Sequence, residues 1–251
     1  MIGEKPLENM VSGYSNTSIF RTIAFIGDSL SSGEFETRNA DGKPGYHDLY
    51  EYSWGQFIAR KNGLTAYNFS RGGMTAKEYL DRFAEEKGFW DPAKACQAYV
   101  IALGVNDIYN RHMSIGEAKD ITATEFDGER PFISYYAEIV RRYKEIQPDA
   151  KFFFVTFPHE PKRDQAKTKG MVDALYALAD HFDNCYVINL YEYGPVYDEA
   201  FKETYFLYGH MNPMGYIFTA NLVDSYIDYI IRTNPSDFKT VGFIGTNIKY
   251  K

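Results

Sequence analysis

Thr22-Ile23-Ala24-Phe25-Ile26-Gly27-Asp28-Ser29-Leu30-Ser31 is an apolar run that breaks on a Gly-Asp-Ser turn. No polar side chain follows Thr22 until that turn, the pattern of a strand buried on both faces in a parallel sheet. Such a strand delivers Ser29 to its C-terminal end, the edge at which open α/β sheets bind ligands.

Four more strands are expected downstream, at 64–69, 98–103, 151–157 and 185–190, each closing on a small or polar turn. Between them lie segments with helical spacing. Ser53 is a plausible N-cap for a short helix ended by Asn62-Gly63, and further helices are expected at 75–87, 131–146, 165–182 and 213–232. The stripe Met171, Leu175, Leu178 and Phe182 reads as core. Five strands with helical crossovers give a three-layer α/β/α fold, a flavodoxin-like, doubly wound five-stranded parallel sheet. Residues 1–20 read as an N-terminal arm and 21–251 as a single domain. Three segments, 32–52, 108–130 and 191–211, are long for loops and are candidates for binding.

A formal net charge of −7 argues against a nucleic-acid or anionic-membrane partner, since either needs a basic patch. Cys96 and Cys185 stand far apart without metal spacing and read as buried thiols of a reducing compartment. No stretch is long and apolar enough for a membrane span, so the expectation is a soluble, cytoplasmic protein.

If the strands are parallel, Ser29, Gly73, Asn106 and His159 lie on one edge, where His210 also folds back. A serine hydroxyl needs a base within hydrogen-bond reach, and acyl transfer needs donors aimed at the developing oxyanion. Each residue also has a plain structural use. Ser29 suits a helix cap, Gly73 a tight turn, and Asn106 an Asx-turn with Asp107. Asp28 reads as a turn residue and Asp107 as support for the Asn106 loop. His47, His112 and His159 compete with His210, which Asn212-Pro213 fixes just before a helix; His181 reads as structural.

Four blocks in order are similar to those of the GDSL, or SGNH, hydrolases. They are Gly27-Asp28-Ser29-Leu30-Ser31, Ser70-Arg71-Gly72-Gly73-Met74-Thr75, Gly104-Val105-Asn106-Asp107, and His210 with Gly215-Tyr216. The resemblance implies Ser29 as nucleophile and His210 as base. It implies an oxyanion hole from the Ser29 and Gly73 N–H groups and the Asn106 side chain, with no metal or cofactor. It implies a small-molecule ester as substrate.

One position departs from the family pattern: where an Asp is expected three residues before the histidine, this chain has Leu207. Three explanations stand: a backbone carbonyl near Leu207, an acid from elsewhere (Glu203, Asp198 or Asp48), or a broken triad. The preferred substrate is a small acyl group on a carbohydrate or similar polar alcohol. Tyr46, Tyr50, Tyr52, Tyr109, Tyr191, Tyr193, Tyr197, Tyr205 and Tyr208 are expected to rim the site, or equally to pack the loops on themselves. A thioesterase, a lipid esterase and a non-catalytic binding module are the alternatives. A nucleotide site has little support, with no GxGxxG at the first turn.

Overall fold

The structure, a computed structural model, describes residues 3–249. Five parallel strands form the central sheet: β1 (Thr22–Gly27), β4 (Thr65–Ser70), β5 (Ala98–Ala102), β6 (Lys151–Val155) and β7 (Cys185–Ile188), in the order β4-β1-β5-β6-β7. In sheet order this is second, first, third, fourth, fifth, so the chain switches direction between β1 and β5. Ligands bind at such a switch point because the connections leave to opposite faces and open a crevice above the strand ends.

Helices cover both faces. On one side α2 (Trp54–Asn62) and α9 (Pro213–Thr233) pack over Phe25, Val100, Phe153 and Ile188. On the other, α5 (Phe132–Ile146) and α6 (Gln165–His181) pack over Ile26, Tyr99, Ile101 and Phe154. Burying apolar rows on both faces is what makes these strands nearly continuous hydrophobic runs. The expected helix at 75–87 is α3 (Ala76–Glu78) and α4 (Ala84–Glu86), joined by a π turn at Tyr79–Phe83. Ser53 caps α2 through the Gln56 N–H, and Gly63 ends it in the left-handed region at φ 67°.

The long connections hold structure that their composition conceals. Segment 32–52 contains an antiparallel hairpin, β2 (Glu34–Arg38) with β3 (Pro44–Asp48). Segment 191–211 contains the end of α7 (Leu190–Tyr193), α8 (Glu199–Tyr205) and a two-residue ladder, β8 (Phe206–Leu207) with β9 (His210–Met211). In segment 108–130, Asn106–Asn110 forms a π turn and Ala118–Ile121 a 3-10 turn. A short α10 (Pro235–Phe238) follows α9.

The arm is fastened rather than loose. The Ser15 hydroxyl donates to Asp224 at 2.6 Å, the Val11 N–H to Ser225 at 3.0 Å, and the Arg232 guanidinium to Glu4 at 3.0 Å, all on α9. Hydrogen bonds from Arg232 and Asn9 hold the Glu4 carboxyl down at about 2. Cys96 is buried, whereas Cys185 is only half-buried, a correction to the reading of both as fully interior; burial pushes each thiol up to about 12. Among the described residues, no helix is long and apolar enough to cross a membrane.

Candidate active site

β1 ends at Gly27, a position that takes glycine because a Cβ there would collide with the Ser31 side chain tucked back under the turn. Asp28 then caps α1 (Ser29–Ser32), its carboxylate accepting the Leu30 N–H at 3.1 Å. The capping role considered for Ser29 therefore belongs to Asp28, and Ser29 stands first in the helix. The Ser29 N–H donates to no protein group among the described residues.

Gly73 sits at φ 70° and lines the same cavity, with open space where a Cβ would be. The Gly73 N–H is also undonated among the described residues. The Ser29 and Gly73 N–H groups, without protein acceptors among the described residues and on residues that line one cavity, are the kind of donor an oxyanion needs. Asn106 follows β5. Its amide donates to the Met74 carbonyl at 3.0 Å and reaches Asp28 at 3.4 Å, and its carbonyl oxygen accepts from Asn110 at 2.6 Å. Asn106 is thus tied to the glycine turn, with only one weakly held hydrogen to spare. Asp107 is fully buried and accepts the Ala76 N–H at 2.9 Å, fastening the start of α3 to the β5 exit.

Ser29, Gly73, Asn106, Asp28 and His210 line one cavity of about 650 Å³ at the switch point. No hydrogen bond joins His210 to Ser29 among the described residues. Its Nε2 lies 2.9 Å from Glu34 Oε1 and its Nδ1 3.4 Å from Glu36 Oε2. Both carboxylates come from β2, whose inward face presents alternate residues to the β8–β9 ladder. Glu36 is buried, accepts the Gly209 N–H at 2.8 Å and pairs with Arg38. Burial alone would raise its carboxyl, but the Gly209 N–H, Arg38 and His210 outweigh it and hold the group below the ordinary value.

None of the acids weighed from the sequence reaches His210. Asp198 caps α8 through the Phe201 N–H, Asp48 is bound to the Ser32 hydroxyl, and Glu203 makes no contact with the imidazole. Leu207 pairs with His210 across the ladder and is exposed. The competing histidines lie elsewhere. His47 bonds Thr37 at 3.1 Å, the His159 ring packs on Tyr191, and neither lines the cavity.

Of the nine loop tyrosines, Tyr46, Tyr197 and Tyr208 line the cavity. Tyr46 and Tyr208 are each 56% exposed at its mouth, and the Tyr46 ring stands edge-on to His210 at 5.7 Å. Others pack the loops: Tyr109 bonds Thr168, Tyr191 bonds Gln165, and Tyr205 stacks on Phe218. Leu30, Ala102, Val155 and Phe206 give the cavity an apolar wall toward α9. Glu160 on the opposite rim carries Arg163 at 2.5 Å and also Lys202. Among the described residues, no group of three or more His, Cys, Asp or Glu side chains stands in metal-binding geometry.

Burial pushes the Asp28 carboxyl up to about 7 and that of Asp107 to about 6. A carboxyl raised in the folded state stays neutral there while the unfolded chain ionises, so stability falls as pH climbs from the unfolded value, near 4, to the folded one. Asp28 therefore costs stability progressively over about pH 4 to 7, by about 4 kcal/mol in all. Asp28→Asn, which keeps the Leu30 cap, is expected to raise Tm more at pH 8 than at pH 4. Equal shifts at the two pH values in thermal melts refute this.

The model of the GDSL-like Lipase/Acylhydrolase family matches residues 25–217. The chain belongs to that family. Solved structures agree in fold. A family two carbohydrate esterase from Clostridium thermocellum, in complex with cellohexaose, superposes with a TM-score of 0.58 at 18% identity, over 94% of this chain and 67% of that one. A family 3 carbohydrate esterase from the same organism gives 0.54 at 14%, covering 84% and 97%. A putative lipolytic protein of the G-D-S-L family from Desulfitobacterium hafniense gives 0.53 at 14%, covering 82% and 99%. No curated protein sequence matches the chain. Membership of the family makes the protein a hydrolase of the esterase type.

Proposed function

We propose that this family member is a serine esterase working through a Ser29 acyl-enzyme, releasing small acyl groups from a carbohydrate or similar polar alcohol. The observation that carries the reading is the convergence of Ser29, two undonated N–H groups and His210 on one cavity. Ser29 Oγ attacks the ester carbonyl, His210 Nε2 takes its proton and returns it to the leaving alcohol, and water repeats the cycle on the acyl-enzyme. The Ser29 and Gly73 N–H groups hold the oxyanion, joined by the Asn106 hydrogen now resting on Asp28. Glu36 fixes the Nδ1–H tautomer and stabilises the imidazolium, the task the family gives to the Asp that Leu207 replaces.

The exposed rings of Tyr46 and Tyr208 favour an alcohol with a sugar-like face, since such rings stack on it while their hydroxyls stay wet. The apolar wall of Ala102, Val155 and Phe206 favours a second reading, a lipid or thioester acyl chain. A p-nitrophenyl ester series from acetate to octanoate separates the two. The covalent step has its own test: a fluorophosphonate should add once, on Ser29, and stop turnover. A chain that stays unlabelled is the binding module instead.

A further inference from the structure

Glu34 stands where a working hydrolase needs open space. Its Oε1 lies 2.9 Å from His210 Nε2, the nitrogen that must receive the Ser29 proton. Its Oε2 presses on Gly72, so closely that a Cβ at Gly72 would collide with it. The side chain is nearly buried, lines the cavity, and has no hydrogen-bond partner other than His210 among the described residues. The other charged and titratable groups facing it are Asp48, Glu36 and His47 from the same hairpin, Asp28 at the end of β1, and Tyr216 on α9, whose hydroxyl donates to the Glu34 carbonyl at 2.6 Å. Arg38, the nearest cation of that hairpin, is committed to Glu36 and to the Tyr208 ring.

With Nδ1–H directed to Glu36, one proton is shared between Glu34 and Nε2. While it stays there, Nε2 cannot accept another. We propose that Glu34 is a substrate-released gate: a free hydroxyl beside the ester of a polyol takes over its carboxyl, frees His210 for Ser29, and so makes such esters the preferred substrates. The inference rests on the Ser29 reading above. The proton balance closes without a further reactant, because the shared proton leaves with Glu34 as the neutral acid. Nε2 is then bare, and the Ser29 proton passes to it as Oγ bonds to the carbonyl carbon. Burial, which raises the Glu34 carboxyl, favours its leaving in that neutral form. The departing acid donates to the substrate hydroxyl oxygen and accepts from a neighbouring hydroxyl, replacing the partner it lost.

Three proteins and three reagents test this: wild type, Glu34→Ala and Glu34→Gln, against a fluorophosphonate, a methyl pyranoside with one acetyl group beside a free hydroxyl, and the same sugar with that hydroxyl methylated. Wild type should favour the free-hydroxyl ester by several-fold, up to about tenfold, the worth of a hydrogen bond between neutral groups. Glu34→Ala should lose that preference yet label at Ser29 several-fold faster than wild type, because Nε2 is unblocked. Glu34→Gln, whose amide still donates to Nε2 but has no proton to carry away, should label no faster than wild type. If Glu34→Ala labels more slowly and both esters fall together, Glu34 merely props His210 and the gate is wrong. An unchanged preference also overturns it. If wild type neither labels nor hydrolyses either ester, the Ser29 reading fails first and takes the gate with it.

Discussion

Ser29→Ala is expected to lower p-nitrophenyl acetate hydrolysis by about 10⁴-fold or more while leaving the melting temperature near that of wild type. The size follows from the role: without the hydroxyl no acyl-enzyme forms, and only oxyanion stabilisation and binding remain to assist water. The unchanged fold follows from the local structure. The Ser29 hydroxyl carries none of the bonds that hold the turn. Asp28 caps α1, and the Ser32 hydroxyl bonds the Ser29 carbonyl at 3.1 Å, a backbone group that alanine retains. Steady-state rates and thermal melts on the same preparations check both halves. A wild type no faster than Ser29→Ala removes the mechanism for this substrate and moves the non-catalytic binding module ahead.

What the sequence disclosed and what it hid divide along a physical line. Ser29, Gly73 and Asn106 could be placed at the cavity from the sequence because each lies a few residues past a strand end, on small or polar punctuation. His210 was legible from the Asn212 cap and Pro213 that start α9 just behind it. Its carboxylate partner was not, because Glu36 is 174 residues away in the chain and meets His210 only through tertiary packing. The segment that carries it looked like loop, being rich in Gly, Asp and Tyr. A signal was present all the same. Glu34-Phe35-Glu36-Thr37-Arg38 alternates polar and apolar residues in part, and Asp41-Gly42 follows as a hairpin turn, with the Asn39 side chain accepting the Asp41 and Lys43 N–H groups at 3.0 and 2.9 Å. Reading that turn places Glu34 and Glu36 on one face of a strand, two residues apart, as they stand against His210.

The tyrosines illustrate a different limit. Composition sets how many aromatic rings the loops carry but not which face of a loop each one takes: three of the nine line the cavity, while Tyr109, Tyr191, Tyr193 and Tyr205 fasten their loops to α6 and α9. The π turn at 79–83 is likewise invisible to a 3.6-residue pattern, since one inserted residue leaves the apolar stripe almost intact on either side.

Glu36→Gln is expected to reduce kcat by about 10²-fold or more with little change in KM, because the charge acts on an imidazolium that exists only as Ser29 attacks. Glutamine keeps the length of the side chain and an oxygen for the Gly209 N–H, so the β8–β9 ladder should stay docked on β2 and the melting temperature should fall only modestly. What it loses is the anion. Glu36→Ala removes both, leaving the Gly209 N–H and Arg38 without their partner, and should cost stability as well as rate. The wild-type carboxyl is held below its ordinary value, so its contribution is present at neutral pH and above. It is lost only as pH falls through the folded value into the acid range. Raising the pH should therefore not rescue Glu36→Gln, whereas a defect of proton supply would respond. The comparison also decides the question posed by Leu207. If a backbone carbonyl near that residue were what orients the imidazole, Glu36→Gln would keep kcat within about threefold of wild type, since the group holding the Nδ1–H would be untouched. A loss of about 10²-fold in kcat alone assigns the vacant position in the family pattern to a carboxylate brought in by the hairpin between β1 and α2.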